Sequence, residues 1–172
     1  MFEYSKSPKA APDKAEVIEI EFDKGIAVKL NGETLSPYNM LIALNKLGGE
    51  NGIGRVDMVE SRYVGMKSRG VYETPGAAII MAAHRDLEGL TLDGSVLNLK
   101  ETLMPRFAAL VYNGYWFSHE MDCMRAMLDK SQEYVTGKVK LELYKGNVTC
   151  IGRSSDYSLY NMAVASMEDD GG

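Results

Sequence analysis

The sequence predicts an α+β domain, with a small antiparallel or mixed sheet and helices packed against it. Strand-like alternation of polar and apolar residues dominates both ends of the sequence, and helical periodicity fills most of the middle. This order of strands, helices and strands favours an α+β domain over a series of βαβ units. The length of 172 residues suits one domain with a sizeable core.

The first segment, residues 1–16, is predicted to be an exposed connector. Pro8 and Pro12 lie there among lysines and small residues, a composition typical of linkers and not of core elements. We place the domain itself at 17–168 and a flexible end at 169–172.

A β-hairpin is predicted directly after the connector. Polar and apolar residues alternate over 17–22, which puts both isoleucines and Phe22 on one face of a half-buried strand. Asp23-Lys24-Gly25 then turns the chain into a second strand over 26–30, which Asn31-Gly32 ends.

Two helices are marked by a capping residue followed by proline. Ser36 can cap the free amides of the first helix, and the fixed φ of Pro37 suits its first turn. Gly48-Gly49 is expected to end that helix. Thr74-Pro75 repeats the signal before a second helix that reaches about Leu90.

Two more helices and a second hairpin complete the prediction. A helix is expected over 96–112, with Pro105 bending or breaking it. Ser118 begins another helix, and Gly146-Asn147 is the expected turn of the closing hairpin. Apolar residues fall on one face of the helix after Ser118: Met121, Met124 and Leu128.

Charge and cysteine content narrow the class of protein. A formal net charge of −5 repels phosphate backbones, so nucleic acid is a poor candidate partner. No apolar run reaches membrane-spanning length, and the first residues lack the layout of a signal peptide. Cys123 and Cys150 have no CxxC or histidine at ligand spacing, which indicates reduced thiols, no metal site and a cytoplasmic protein.

Glu60 is the first candidate site residue. On a predicted strand over 56–61 its side chain shares a face with Val56 and Met58. A carboxylate among apolar neighbours needs a partner. That partner is either a structural arginine or the ammonium or amide N–H of a ligand, and spacing alone favours the arginine. The arginines within reach are Arg55, Arg62 and Arg69.

The stretch from Gly65 to Gly70 is predicted to be a loop with glycine at each end. Lys67, Ser68 and Arg69 lie inside it, and such a loop can cradle an anion. Taken alone, a solvated turn is the commoner structure. Tyr72 follows, where its hydroxyl can reach a pocket, although a tyrosine that merely packs is more frequent.

Other residues are assigned structural roles. His84 is interpreted as a packed or interface histidine and His119 as exposed, while the aromatic run 112–117 fits the core or a subunit contact better than a ligand site. No GxxxxGK[ST] or GxGxxG motif is present, and the two histidines do not form a recognisable catalytic triad.

The stretch 51–76 and several later blocks resemble the argininosuccinate synthase family. The first block is Asn51-Gly52-Ile53-Gly54-Arg55-Val56-Asp57, followed by the run from Gly65 to Gly76. Further similar blocks lie at 83–88, 103–106, 112–118 and 139–152. The resemblance runs nearly from end to end of the chain and is to the second, synthetase domain of the family.

The resemblance implies an ATP-dependent ligase that joins citrulline and aspartate into argininosuccinate, releasing AMP and pyrophosphate. It implies a homotetramer, and ATP with Mg bound mainly by an N-terminal nucleotide-binding domain that has no counterpart here. The citrulline contacts of the family fall on Glu60 and Tyr72, which reverses the preference for a structural arginine. Lys67, Ser68 and Arg69 are expected to support the site, and no catalytic residue is expected.

Two hypotheses follow. The chain is part of an argininosuccinate synthase that contributes citrulline contacts and subunit assembly and is inactive without the nucleotide-binding domain. Alternatively, it is a free-standing non-catalytic module that binds citrulline or drives oligomerisation.

Overall fold

The computed structural model describes residues 1–161, and the α+β class predicted from the sequence is confirmed. The predicted domain end at 168 and the predicted flexible end 169–172 lie outside the described residues. The elements in chain order are β1 Glu16–Asp23, β2 Ile26–Leu30, β3 Glu33–Thr34, α1 Pro37–Glu50, β4 Arg55–Ser61, β5 Lys67–Glu73, α2 Pro75–Thr91, α3 Gly94–Tyr112, α4 His119–Ser131, β6 Gly137–Tyr144 and β7 Asn147–Ser154.

The main sheet has five antiparallel strands in the order β3-β2-β1-β6-β7. Strand β1 lies at its centre, where Ile20 is opposite Leu30 on one side and Val139 on the other. The two hairpins predicted at opposite ends of the sequence therefore form one sheet. The predicted alternation in β1 is confirmed, because Ile18 and Phe22 are buried together with Ile20.

The core lies between one face of this sheet and helices α1 and α2. Leu141 and Val139 of β6 are fully buried there, as are Leu44 of α1 and Ile79 and Leu87 of α2. Burying such side chains contributes about 1.5–3 kcal/mol each. The sheet and the two helices form the body from which the other elements extend.

Helix α1 continues past the expected glycine stop. Ser36 caps it as predicted, accepting a hydrogen bond from the Asn39 amide. The helix ends at Glu50. Gly48 lies inside the helix, where it allows close packing within the core and does not stop the helix. A Cβ added at Gly48 would lie 2.8 Å from the Cβ of Pro75 and 3.0 Å from Ile79.

Helices α2 and α3 differ from the predictions at their starts. Thr74 precedes α2 without a side-chain cap, and its amide instead donates to the carbonyl of Gly54. Asp93, not noticed in the sequence, caps α3 by accepting from the amides of Ser95 and Val96. Helix α3 is continuous through Pro105, so the proline does not break it.

Helices α3 and α4 pack on each other through a separate small apolar cluster. Its buried members are Leu110, Met121 and Met124. The aromatic run 112–117 that connects the two helices is exposed, with Phe117 93% accessible. Of the two alternatives predicted for it, the core is therefore wrong, and a subunit contact stays a prediction. None of the helices within residues 1–161 is long and apolar enough to cross a membrane.

Two turns of the sheet differ in detail from those predicted. The closing hairpin turns at Lys145 and Gly146, both with positive φ, and Asn147 already belongs to β7. Asn31 and Gly32 likewise turn the chain back into β3, a two-residue strand that was not predicted.

Candidate functional site

Strands β4 and β5 form a two-stranded antiparallel ribbon separate from the main sheet. Its turn is closed by the Arg62 amide, which donates to the Met66 carbonyl at 2.7 Å, and Gly65 adopts φ +85° there. The loop between the strands is therefore 62–66, earlier in the chain than the predicted Gly65 to Gly70. Lys67, Ser68 and Arg69 lie on β5, because each strand residue there pairs with a residue of β4.

The register of the ribbon decides which side chains face the same way. Glu60 lies opposite Ser68, and Val56 lies opposite Tyr72. Since side chains alternate along a strand, these four residues share one face, which we call the Glu60 face. Of the three residues expected to support the site, only Ser68 lies on this face.

Glu60 and Tyr72 are brought into direct contact. The Tyr72 hydroxyl donates a hydrogen bond to Glu60 Oε1 at 2.6 Å, a length typical of a hydroxyl donating to a carboxylate. The two residues are offset along the ribbon, so the tyrosine ring must reach across the residue between them to make this bond.

That intervening residue is Gly70, which the sequence reasoning did not select. A Cβ added at Gly70 would lie 2.5 Å from Tyr72 Cε2 and 2.7 Å from its hydroxyl. Glycine is therefore required for the tyrosine ring to lie flat across the strand. The signal was available, because an isolated glycine within a strand often marks such a close approach.

The Glu60 face is more open than the strand pattern implied. Val56 and Met58 are 41% and 44% exposed, and Glu60 is only half-buried. The apolar neighbours of Glu60 thus do not belong to the core. Its carboxylate is hydrogen-bonded by Tyr72, while no described arginine pairs with it, so the structural arginine favoured by spacing is not present.

The arginine and lysine of β5 point to the opposite face. Arg69 donates to both oxygens of Asp57, at 2.8 and 2.6 Å, and Lys67 donates to the Ser61 hydroxyl at 2.6 Å. The Arg69 guanidinium holds the pKa of the Asp57 carboxyl below its usual range. These cations are directed away from the Glu60 face and do not cradle an anion there.

The electrostatics of the Glu60 face suit a hydrogen-bond donor. The hydrogen bond to the Glu60 carboxylate raises the pKa of the Tyr72 phenol above its ordinary value. With one oxygen bound by Tyr72, the second oxygen of Glu60 has no hydrogen-bond partner among residues 1–161. A carboxylate and a phenol attract an ammonium or amide N–H, whereas the negative charge disfavours a phosphate.

A second polar cluster lies in a cleft of about 590 Å³ between α2 and α3. Glu88 is 3% exposed there, forms an ion pair with Lys100 and accepts from Gln132 Nε2 at 2.8 Å. His84 completes the network through its 2.8 Å contact with Gln132 Oε1, and its ring packs on Phe22, as expected for a packed histidine. This cluster links α2, α3 and α4, and its polar groups satisfy one another.

The remaining candidates do not assemble into a site. Both cysteines are free, with Cys123 exposed, and His119 is exposed as predicted. Within residues 1–161 no group of three or more His, Cys, Asp or Glu side chains is arranged to hold a metal ion. The ribbon is the region where the residues selected from the sequence come together.

Comparison with known proteins decides the family. The sequence profile of the Arginosuccinate synthase C-terminal domain matches residues 1–172. Argininosuccinate synthase of Psychrobacter sp. (strain PRwf-1) is 56% identical over 172 residues, 100% of this chain and 42% of that protein. That of Campylobacter jejuni (strain RM1221) is 57% identical over 171 residues, 99% of this chain and 42% of that protein.

The chain belongs to the argininosuccinate synthase family. The resemblance seen in the motifs is thereby confirmed, and the match is to the C-terminal part of the family. The chain spans less than half the length of the curated relatives it matches, at 42% and 41% for those from Psychrobacter and Xanthobacter autotrophicus (strain ATCC BAA-1158 / Py2).

Proposed function

We propose that this chain is the citrulline-contacting and assembly portion of an argininosuccinate synthase. The complete enzyme would ligate citrulline and aspartate in the cytoplasm, converting ATP to AMP and pyrophosphate, in arginine biosynthesis. One observation carries the proposal: in a member of this family, the exposed Glu60 face presents a carboxylate and a phenol joined by a 2.6 Å hydrogen bond.

Glu60 and Tyr72 would bind citrulline by accepting hydrogen bonds from it. The free oxygen of Glu60 suits the ammonium group or a ureido N–H, both of which are donors. Tyr72 would fix the direction of the carboxylate and offer its own oxygen as an acceptor. Their contribution is to hold the ureido group in position for attack on a phosphate, which accelerates a reaction by orientation and not by proton transfer.

ATP and aspartate would be bound mainly by the part of the synthase that lies outside this chain. The Glu60 face supports this division, because its carboxylate repels the negative charges of both compounds. The basic side chains of β5 face away from it and are paired with acceptors on β4. We therefore expect the isolated chain to have no ligase activity and to bind citrulline weakly.

Calorimetric titration with citrulline tests the assignment. Glu60→Gln and Tyr72→Phe should each weaken binding by about tenfold, the scale of one lost hydrogen bond to a charged group. Asp57→Asn is the matched control, since it removes a carboxylate from the opposite face of the ribbon. Equal affinity of the wild type and Glu60→Gln, in this chain and in the full-length Psychrobacter relative, would refute the assignment.

Assembly is a second role, favoured by the exposed aromatic run 112–117. Phe117 and Tyr112 are 93% and 63% exposed at the end of the α3–α4 pair. Exposed apolar surface of this kind marks contact sites between proteins. Light scattering should show a homo-oligomer that Phe117→Ser weakens, and a monomer at all concentrations would exclude this role. Oligomerisation without any citrulline binding would instead favour a free-standing assembly module.

A further inference from the structure

The ribbon is joined to the body at its base, where β4 begins and β5 ends. Arg55 of β4 lies opposite Glu73 of β5 in the strand register there, and the Thr74 amide donates to the Gly54 carbonyl at 2.8 Å. Above this base the ribbon is mostly exposed on both faces. Contacts made by these base residues therefore help to set its angle on the body.

Glu73 is bound by the segment that precedes β1. Its carboxylate accepts from the backbone amides of Glu3, Tyr4 and Ser5, at 2.7, 3.1 and 2.8 Å, and from the Ser5 hydroxyl at 2.5 Å. Glu3 and Glu73 are 70 residues apart in sequence. Three consecutive amides around one carboxylate form a nest, an arrangement that holds anions through backbone dipoles. The Ser5 hydroxyl and these amides lower the pKa of Glu73 to about 2.

The same segment also contacts the other base residue and the body. The Phe2 ring lies 3.7 Å under the Arg55 guanidinium. Farther along, the Lys6 amide donates to the Gly49 carbonyl at 2.9 Å, and the Lys6 ammonium pairs with Glu50 at the end of α1. Residues 2–6 thus bridge the end of α1 to the base of the ribbon, and we call them the strap.

We propose that the strap sets the orientation of the ribbon and that Glu73 is a positioning residue for citrulline. This inference rests on the proposed function. Glu73 and Tyr72 are adjacent on β5, so their side chains point to opposite faces. Glu73 holds the strap on one face while Tyr72 presents its hydroxyl on the other, and a shift of the strap changes where the Glu60 face lies.

The experiment compares three variants of the 172-residue chain with the wild type. Glu73→Gln removes the charge held by the amide nest, and Ser5→Ala removes the hydroxyl that the strap donates to Glu73. Asp57→Asn is the control, because Asp57 pairs with Arg69 across the ribbon and not with residues 2–6. Hydrogen exchange of the ribbon, residues 55–73, is measured beside that of β1, and calorimetry gives the citrulline Kd.

Glu73→Gln should speed exchange in the ribbon by about tenfold, leave β1 unchanged and weaken citrulline binding by about fivefold. Ser5→Ala should do the same to a smaller extent, and Asp57→Asn should change the Kd little. If the ribbon of Glu73→Gln exchanges its amide hydrogens at the wild-type rate, the proposal that the strap sets the orientation of the ribbon is overturned. Faster hydrogen exchange in the ribbon with an unchanged citrulline Kd would overturn the positioning role of Glu73.

Failure of the proposed function has a different signature. If the wild-type chain binds no citrulline while Glu73→Gln still loosens the ribbon, the substrate assignment and the positioning role are overturned and the mechanical role of the strap is supported.

Discussion

The main sheet and the β4–β5 ribbon are both antiparallel and both alternate in sequence, yet they differ in what covers them. In the sheet, Ile20 and Leu141 are 0% exposed because α1 and α2 pack on that face. In the ribbon, Val56 and Met58 remain more than 40% exposed, at 41% and 44%. Alternation therefore specifies that side chains share a face, and only the packing of other elements decides whether that face becomes core or stays available to a ligand.

The largest expected effect tests whether the two regions differ in stability. Leu141→Ala should lower the free energy of unfolding by about 2–5 kcal/mol, because it opens a cavity in the core. Met58→Ala on the ribbon should change it by less than about 0.5 kcal/mol, as at other surface positions. Urea denaturation measures both. A comparable loss in Met58→Ala would mean that the ribbon packs against something in solution.

A smaller effect is expected when the close approach at Gly70 is disturbed. Gly70→Ala places a Cβ where the Tyr72 ring lies, so the ring must move and the hydrogen bond to Glu60 is lost. Citrulline affinity should fall by about tenfold, and the Tyr72 pKa should fall toward its ordinary 10.0. Isothermal calorimetry and ultraviolet titration measure these changes.

Gly152→Ala in β7 is the matched control for that substitution. An added Cβ there meets only Lys140, at 3.8 Å, which is ordinary contact. It should leave both the citrulline affinity and the tyrosine titration unchanged. An unchanged Tyr72 pKa in Gly70→Ala would show that the ring does not cross the strand at this point.

The smallest expected effect is the pH dependence of the contact at the base of the ribbon. Because the pKa of Glu73 is lowered from 4.5 to about 2 in the folded chain, its contribution to stability is complete above about pH 4.5 and is lost as the pH falls through about 2. The Tm difference between the wild type and Glu73→Gln should therefore be constant near neutral pH and shrink in acid. A difference that persists to pH 2 would contradict this assignment.

The sequence predicted most of the elements, because their signals are local. Alternation over 17–22 and the serines at 36 and 118 act through neighbouring residues, and the structure confirms them. The predicted stop of α1 at Gly48-Gly49 was wrong, because Gly48 packs against Pro75, which lies 27 positions further along the chain. No local pattern contains that contact.

The candidate site was predicted in part. Strand periodicity placed Glu60 on one face with Val56 and Met58, and the family resemblance selected Tyr72. Neither indicated that the two side chains bond to each other, because this depends on the pairing register of β4 and β5. The contacts of Glu73 with the strap could not be predicted either, since its partners are about 70 residues away in the sequence, 70 for Glu3 and 68 for Ser5.

The most direct test of the central claim is an NMR titration of the chain, labelled on its tyrosine rings, with citrulline. The ring signals of Tyr72, identified by their loss in Tyr72→Phe, should shift and saturate, and Glu60→Gln should need about tenfold more citrulline to reach the same shift. Tyr134 and Tyr157, whose ring centroids lie 5.3 Å apart, should not respond. A Tyr72 signal that stays in place at millimolar citrulline, or shifts equally at Tyr134, would contradict a citrulline site on the Glu60 face.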